Sequence, residues 1–385
     1  MNKKLGLAVA GALVAFSSVA NAGITIPAGD WTVDFGGNVN AFAINTTNTA
    51  TGTARPTSPA NGINTGLLPA QFGFGAKTRQ NDLDIGVQFS FFTGTSQGAG
   101  GEGLTAGHNS LNIRQAYLTF GDASWGTVLA GRNIGVFGQD VILSDMTLLG
   151  VGPVVGATGG GTAVYGRIGS GYVYADWLGQ IAYTTPNFNG FSATAAVTEP
   201  YAGGNQLGLQ AKASYDFAAN DVTGKVWVGT IYQNRTNASG FETKGYEIGA
   251  KAAFAGAELV GYYYGGDALS NVSAAALSAP PANPGFALQY AGVAVNSRDS
   301  GGFVQATYKI PTIGTKVGVS WGESNTKTTG TAEYSNSAWT IGAYHPLTKS
   351  LNLVAEYSKS TAELTGGFAG KIEGNTTALG AILFF

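Results

Sequence analysis

The sequence predicts a transmembrane antiparallel β-barrel of sixteen strands, and three observations carry the prediction. A hydropathy period of two recurs from Trp31 to the last residue, short and long links alternate between the apolar segments, and charge is too sparse for a water-soluble surface. Charged residues are 11% of the chain, against about 25% in an ordinary soluble domain. Apolar residues are 44% and mean hydropathy is +0.08, yet no long apolar run follows the first two dozen residues.

The chain opens on an export signal. Lys3 and Lys4 form a basic start, Leu5 to Phe16 an apolar core, and Ala20-Asn21-Ala22 a small-x-small processing site, so residues 1–22 are expected to be removed and Gly23 to begin the mature chain. Losing the two lysines takes the net charge from −2 to −4. That balance leaves no basic face for a nucleic-acid backbone. With no Cys and only His108 and His345, thiol chemistry, disulfides and a histidine metal cluster drop out. No cofactor is expected, and no spacing of Ser, His and acidic residues suggests catalysis.

The remainder, 23–385, reads as one barrel domain. In 31–44, Trp31, Val33, Phe35, Val39, Ala41 and Ala43 share a face opposite Thr32, Asp34, Asn38 and Asn40. After 70–79 the clearest case is 81–93, where Leu83, Ile85, Val87, Phe89 and Phe91 oppose Asp82, Asp84, Gln88 and Ser90. Strands at 111–121, 125–133, 173–185 and 188–198 follow. In 205–217, Leu207, Leu209, Tyr215 and Phe217 oppose Gln206, Gln210, Lys212 and Asp216. The pattern continues through 222–235, 243–254, 256–266, 301–310, 314–323, 335–346, 350–360 and 375–385. Many of these exceed the five or six residues common in soluble strands and suit a tilted span. Tyr215, Phe217, Phe254, Tyr262, Tyr263, Tyr264, Tyr308 and Tyr357 are candidates for aromatic girdles.

Short links at 79–81, 122–124, 186–187, 218–221, 255, 311–313 and 347–349 alternate with longer ones, the longest at 45–69, 94–110, 134–172 and 267–300. One rim of tight turns and one of long loops is the signature of a barrel inserted from the periplasm. A sheet in hydrocarbon must close, because open backbone groups cannot be satisfied there. Sixteen strands leave an interior too wide for side chains alone to fill.

Arg114-Gln115-Ala116-Tyr117, the turn into Trp125-Gly126-Thr127-Val128, and Gly131-Arg132 resemble the general porins of Gram-negative outer membranes, especially the trimeric sixteen-stranded porins of β-proteobacteria. Ile181-Ala182-Tyr183-Thr184-Thr185-Pro186, His345-Pro346-Leu347-Thr348-Lys349-Ser350 and the final Phe385 fit as well. Trp31-Thr32-Val33-Asp34 departs from the family's usual start, and charge is sparser than usual. The resemblance implies a homotrimer in the outer membrane, in contact with its lipid and lipopolysaccharide, passing small hydrophilic solutes and ions. It also implies that Phe385 is read by barrel assembly machinery and that both termini lie in the periplasm. It places the third long loop, 134–172, in the lumen, with Asp140 and Asp145 facing Arg114 and Arg132 on the wall. Opposed charges of that kind would set a transverse field. Arg79, Asp84, Lys212, Lys225, Glu247, Lys251, Lys316 and Glu356 are expected to line the lumen at other depths.

Arg114 shares its nominal face with Leu118 and Phe120, which calls for a β-bulge or a subunit contact. Two other functions remain open on sequence grounds: a substrate-selective channel of the same architecture, and a non-conducting adhesin or structural barrel presenting 267–300.

Overall fold

The computed structural model describes residues 23–52, 60–94, 111–154, 164–173, 175–200, 206–234, 242–269, 296–328, 333–366 and 369–385. Residues 1–22, the expected export signal, and most of 267–300 lie outside the described residues. Among the described residues eighteen strands form one sheet. They are β1 (Ile24–Ala28), β2 (Trp31–Gly52), β3 (Ala60–Asn64), β4 (Ala70–Gln80), β5 (Leu83–Thr93), β6 (Asn112–Asp122), β7 (Gly126–Ile134), β8 (Trp177–Thr184) and β9 (Phe191–Thr198), followed by β10 (Gly208–Ala219), β11 (Val222–Asn234), β12 (Glu242–Phe254), β13 (Ala257–Asp267), β14 (Ser297–Lys309), β15 (Lys316–Thr328), β16 (Glu333–Pro346), β17 (Leu351–Thr365) and β18 (Gly370–Phe384).

Sixteen of these, β2 and β4 to β18, make the closed wall. The seam is the pairing of β18 with β2, from Gly370↔Gly52 to Phe384↔Asn38. The other side of β2 is shared, because β4 pairs its first part and β3 pairs Phe42–Thr46. Below the seam β1 extends the β18 edge along β2, with Ile24 opposite Phe35. Strands β1 and β3 are only five residues long, β1 containing Pro27 and β3 lacking alternation, so the sequence did not reveal them.

The other sixteen lie where the hydropathy period puts them, with one systematic difference. Toward the long-loop rim several run further: β2 continues through Asn45-Thr46-Thr47-Asn48 to Gly52, and β17 through Glu363 to Thr365. Beyond the apolar band the extension of β2 is largely polar on both faces, and in β17 the apolar residues Ala362 and Leu364 are buried inside, so the outward-apolar pattern ends while the ladder continues. At the opposite rim the turns are tight. Ala255 and Gly256 both have positive φ, 48° and 86°, the two-residue geometry that matches the twist of a hairpin.

The alternation sorts the faces as expected along β5 and β2: Val39 is 57% exposed on the outside and Asn38 fully buried inside. Tyr215, Tyr263 and Tyr308 stand outside as girdle residues. Tyr262 and Tyr264 do not, because in β13 their parity is that of Val260, which points inward. With Trp227, Tyr172 and Phe303 they form an interior aromatic cluster, ring centroids 5.9 to 6.5 Å apart. Gly249 makes room for it: it stands directly opposite both Trp227 and Tyr262, and a Cβ there would lie 2.0 Å from the indole. The interior is therefore more apolar than the outward-apolar, inward-polar rule suggests, and its buried core includes Phe137, Val141, Met146, Val151 and Ile168 of the loop after β7.

Candidate pore constriction

That loop leaves β7 at Gly135, whose N–H bonds Asp176 O at 2.8 Å. It forms a short helix, α1 (Gln139–Ile142), and a 3₁₀ turn at Met146–Leu149. Elements this short cannot satisfy their own backbone, and inward-facing wall side chains take over. Phe137 N donates to Gln210 Oε1 at 2.8 Å and Gly138 N to Glu247 Oε1 at 3.1 Å. Met146 N donates to Gln305 Oε1 at 2.7 Å, and Val151 N and Gly152 N both donate to Glu356 Oε2 at 2.7 Å. Leu67, from the segment between β3 and β4, donates its N–H to Gly150 O at 2.8 Å. The loop thus follows the inner wall from β10 to β17 and meets the first long link.

Glu247 and Glu356 face inward, as the strand parity requires, but lie beneath the loop. Each accepts a phenol as well, Tyr262 at 2.8 Å and Tyr344 at 2.5 Å. Their work is to hold loop backbone.

Asp140 lies in α1. Lys212 Nζ donates to it at 2.7 Å and Lys225 Nζ at 2.6 Å, and Lys212 also reaches Gln139 Oε1. Burial opposes ionisation of the carboxyl, yet the two ammonium groups outweigh it and hold its pKa at about 2. Acidic loop and basic wall do meet, through lysines of β10 and β11.

The other residues carried over from the family resemblance stand elsewhere. Asp145 caps the 3₁₀ turn, accepting from Thr147 N at 2.9 Å and Thr147 Oγ1 at 2.8 Å, while its second oxygen accepts from Tyr172 OH at 2.9 Å and Arg167 N at 3.3 Å. It folds the loop onto itself. Arg114 is the extra residue of a β-bulge: Gln115 pairs Ser90 and Ile113 pairs Phe91. The bulge turns Arg114 inward despite its parity, and its guanidinium lies 4.6 Å from the Phe92 ring centroid and 5.9 Å from that of Trp177. Arg132 stands on the outer face at the long-loop rim, in register with Ala116 and Gly179, with Glu199 at 3.6 Å and Ile113 O at 3.1 Å. Two residues apart on a strand, Arg132 and Ala130 share the outward face that Ile181 extends on β8.

Arg79 and Asp84 pair at 2.8 Å near the short-turn rim, with Asp122 at 2.9 Å. Lys251 is directly opposite Lys225. Lys316 lies 5.0 Å from the Tyr344 ring.

One residue escaped the sequence reading. Arg167, on the returning arm of the loop, is fully buried. Its Nε donates to Ser320 Oγ at 2.7 Å, one terminal nitrogen to Ser320 O at 2.6 Å, and the other to Ala338 O at 3.0 Å. Burial lowers its pKa to about 10. The available signal was a lone Arg in the Gly-rich run Gly166-Arg167-Ile168-Gly169, with no acid beside it.

No curated protein matches the chain. Among solved structures it resembles the anion-selective porin of Comamonas acidovorans (15% identity, TM-score 0.61, covering 92% of this chain and 100% of that one). It resembles Salmonella typhi OmpF, solved with daunomycin, equally well (17%, 0.61, 94% and 100%), and the Acinetobacter baumannii outer-membrane channel DcaP (14%, 0.64, 94% and 100%). At such identities these likenesses speak to the fold. The Gram-negative porin family model matches residues 8–363. By that match, and by a closed sixteen-stranded wall with a loop bound along its inside, the chain belongs to the Gram-negative porins.

Proposed function

We propose that the narrow zone of this pore is set by the loop clasp, Asp140 with Lys212 and Lys225, and that wall arginines contribute little. As a Gram-negative porin the chain is an outer-membrane channel for passive diffusion of small hydrophilic solutes. The observation carrying the clasp reading is the pair of contacts at 2.7 and 2.6 Å from one loop carboxylate to two wall strands. Arg114, tucked over Phe92, shapes the wall beneath the loop, and Asp145 keeps the loop folded. No chemical step is assigned.

The finer partners belong to the same reading. A homotrimer is supported by the outer face of β4 to β6, where Phe72 stacks on Phe91 and Phe74 on Phe89 at 5.1 and 5.2 Å. Among the described residues that arc presents no outward Tyr, only Trp125 against Phe120 at its short-turn end, whereas Tyr215, Tyr246, Tyr263 and Tyr308 stand on β10 to β14. Interfacial Tyr and Trp belong where wall meets lipid headgroups. The phenylalanine arc suits contact with a second copy, and the tyrosine arc suits lipid and lipopolysaccharide. Residues 1–22 act as the export signal, the short turns and both termini face the periplasm, and Phe385 serves assembly.

Single-channel recording in planar bilayers tests the constriction. D140N should change unit conductance, whereas R132A should leave it as in the wild type. The reverse result would return the constriction to the arginines.

A further inference from the structure

The neighbour of β2 in the wall is interrupted. Asn38 of β2 is opposite Gln71 of β4 and Phe42 is opposite Asn64 of β3, so four steps on β2 are matched by seven on its neighbour and three residues are surplus to the ladder. An ordinary β-bulge inserts one. The surplus turns into the lumen, and every residue from Asn64 to Ala70 is buried. Backbone groups that leave a ladder must be satisfied elsewhere, and two inward asparagines of β2 do this. Asn40 Nδ2 donates to Leu68 O at 2.9 Å, its Oδ1 accepts from Gly66 N at 2.9 Å, and Asn38 Nδ2 donates to Pro69 O at 3.3 Å. Asn40 Nδ2 also donates to Asn38 Oδ1 at 2.7 Å, which joins the two clamps.

The tip of this inward bulge sits where the two arms of the lumenal loop touch. A Cβ on Gly152 of the outgoing arm would lie 2.8 Å from Gly166 Cα of the returning arm, and both glycines have positive φ, 69° and 54°. Leu67 engages both arms. Its N–H donates to Gly150 O at 2.8 Å, and its side chain packs so closely on Gly166 that a Cβ there would collide with it. From the other side Glu356 of β17 accepts from Val151 N and Gly152 N, and Val154 N donates to Thr376 Oγ1 of β18 at 3.3 Å. The far end of the loop is thus gripped between the last two wall strands and the bulge.

We propose that the bulge 65–69 is a latch that sets the size limit of the pore, with Leu67 as its positioning residue. The proposal rests on the channel reading and adds a size-setting element remote from the Asp140 clasp. Without Leu67 the far end keeps its anchors on β17 and β18 alone, and Gly150 O loses the N–H that ties it to the β2 side. A loop end held from one side can swing out of the passage. A neutral solute feels that change as width, independently of the charges on the clasp.

Liposome swelling with neutral sugars, from monosaccharide to tetrasaccharide, is the test, using Leu67→Ala and a deletion of residues 67–69, which makes the steps on the two strands equal. Both variants should admit the trisaccharide severalfold faster relative to the monosaccharide than the wild type does. Leu67→Ala keeps the backbone of the bulge and carries the same prediction if the deletion does not assemble. A second reading uses Leu67→Cys in this cysteine-free chain. A water-soluble maleimide should label the buried thiol slowly, and severalfold faster when Asn40→Ala removes the clamp. A wild-type size profile in folded Leu67→Ala, or rapid labelling with Asn40 intact, overturns the latch while leaving the channel in place. A wild type that admits no sugar of any size would remove the channel reading itself.

Discussion

Arg167 Nε donates to Ser320 Oγ at 2.7 Å, and through that contact the returning arm of the loop is tied to β15. A second nitrogen reaches Ala338 O on β16, so one side chain spans two wall strands. Burying a guanidinium is costly unless its donors are placed, and here they meet fixed oxygens.

Arg167→Ala should therefore free that arm. Loss of charge-assisted hydrogen bonds together with the space left behind should cost about 2–4 kcal/mol, seen as a lower melting temperature of the folded barrel. Conductance should become noisier as the arm moves. Arg167→Lys should rescue only in part, since an ammonium cannot reproduce the forked geometry. An unchanged melting temperature and a quiet current in Arg167→Ala would show that the other anchors suffice.

Glu356 separates an acceptor role from a charge role. Its Oε2 takes both Val151 N and Gly152 N. Glu356→Ala leaves those buried donors without a partner, about 1–3 kcal/mol each, and should open the loop to limited proteolysis near Gly150. Glu356→Gln keeps an acceptor and should protect the loop largely as the wild type does. Equal cleavage of both variants would mean that the negative charge holds the turn.

The wall was legible because its physics is periodic. Val39 and Asn38, or Phe89 and Gln88, declare opposite surroundings by position alone, and sixteen such segments with sorted links require closure. The interior was less legible. Tyr262 and Tyr264 read as girdle residues because an aromatic near a strand end carries no sign of which side it faces until parity is fixed by Val260. Arg114 showed a conflict with its face, and the bulge at Ser90/Phe91 resolves it. Arg132 offered no such conflict, and its outward position follows only from the register with Gly179. Asp140 was recognised as a loop acid, and Lys212 and Lys225 as lumenal, but their meeting depends on how far the loop travels, which sequence distance does not encode.

Gly249 should resist substitution more than an ordinary strand glycine. A Cβ would meet Trp227 ring atoms at 2.0 and 2.3 Å, and the indole is fully enclosed. Gly249→Val should lower the yield of folded barrel, read as loss of the heat-modifiable band on electrophoresis. Gly249→Val combined with Trp227→Ala should recover part of it. Failure of the second substitution to rescue would place the defect in the backbone of β12.

The Asp140 clasp sets an acid limit on the loop. The folded pKa, about 2, lies below the value near 3.9 of a free aspartate, so the carboxylate binds protons less readily folded than unfolded. Its stabilising contribution is complete above about pH 4 and is lost as pH falls through the folded value. Wild-type conductance should stay steady from neutral pH through about pH 4 and change only as pH falls toward about 2, where the folded carboxylate takes up its proton and the lysines are released. Asp140→Asn lacks the titrating group, so it should show the acid-state conductance at neutral pH and little further change on acidification. A wild-type transition near neutral pH, or an equal acid response in Asp140→Asn, would assign the effect to another group.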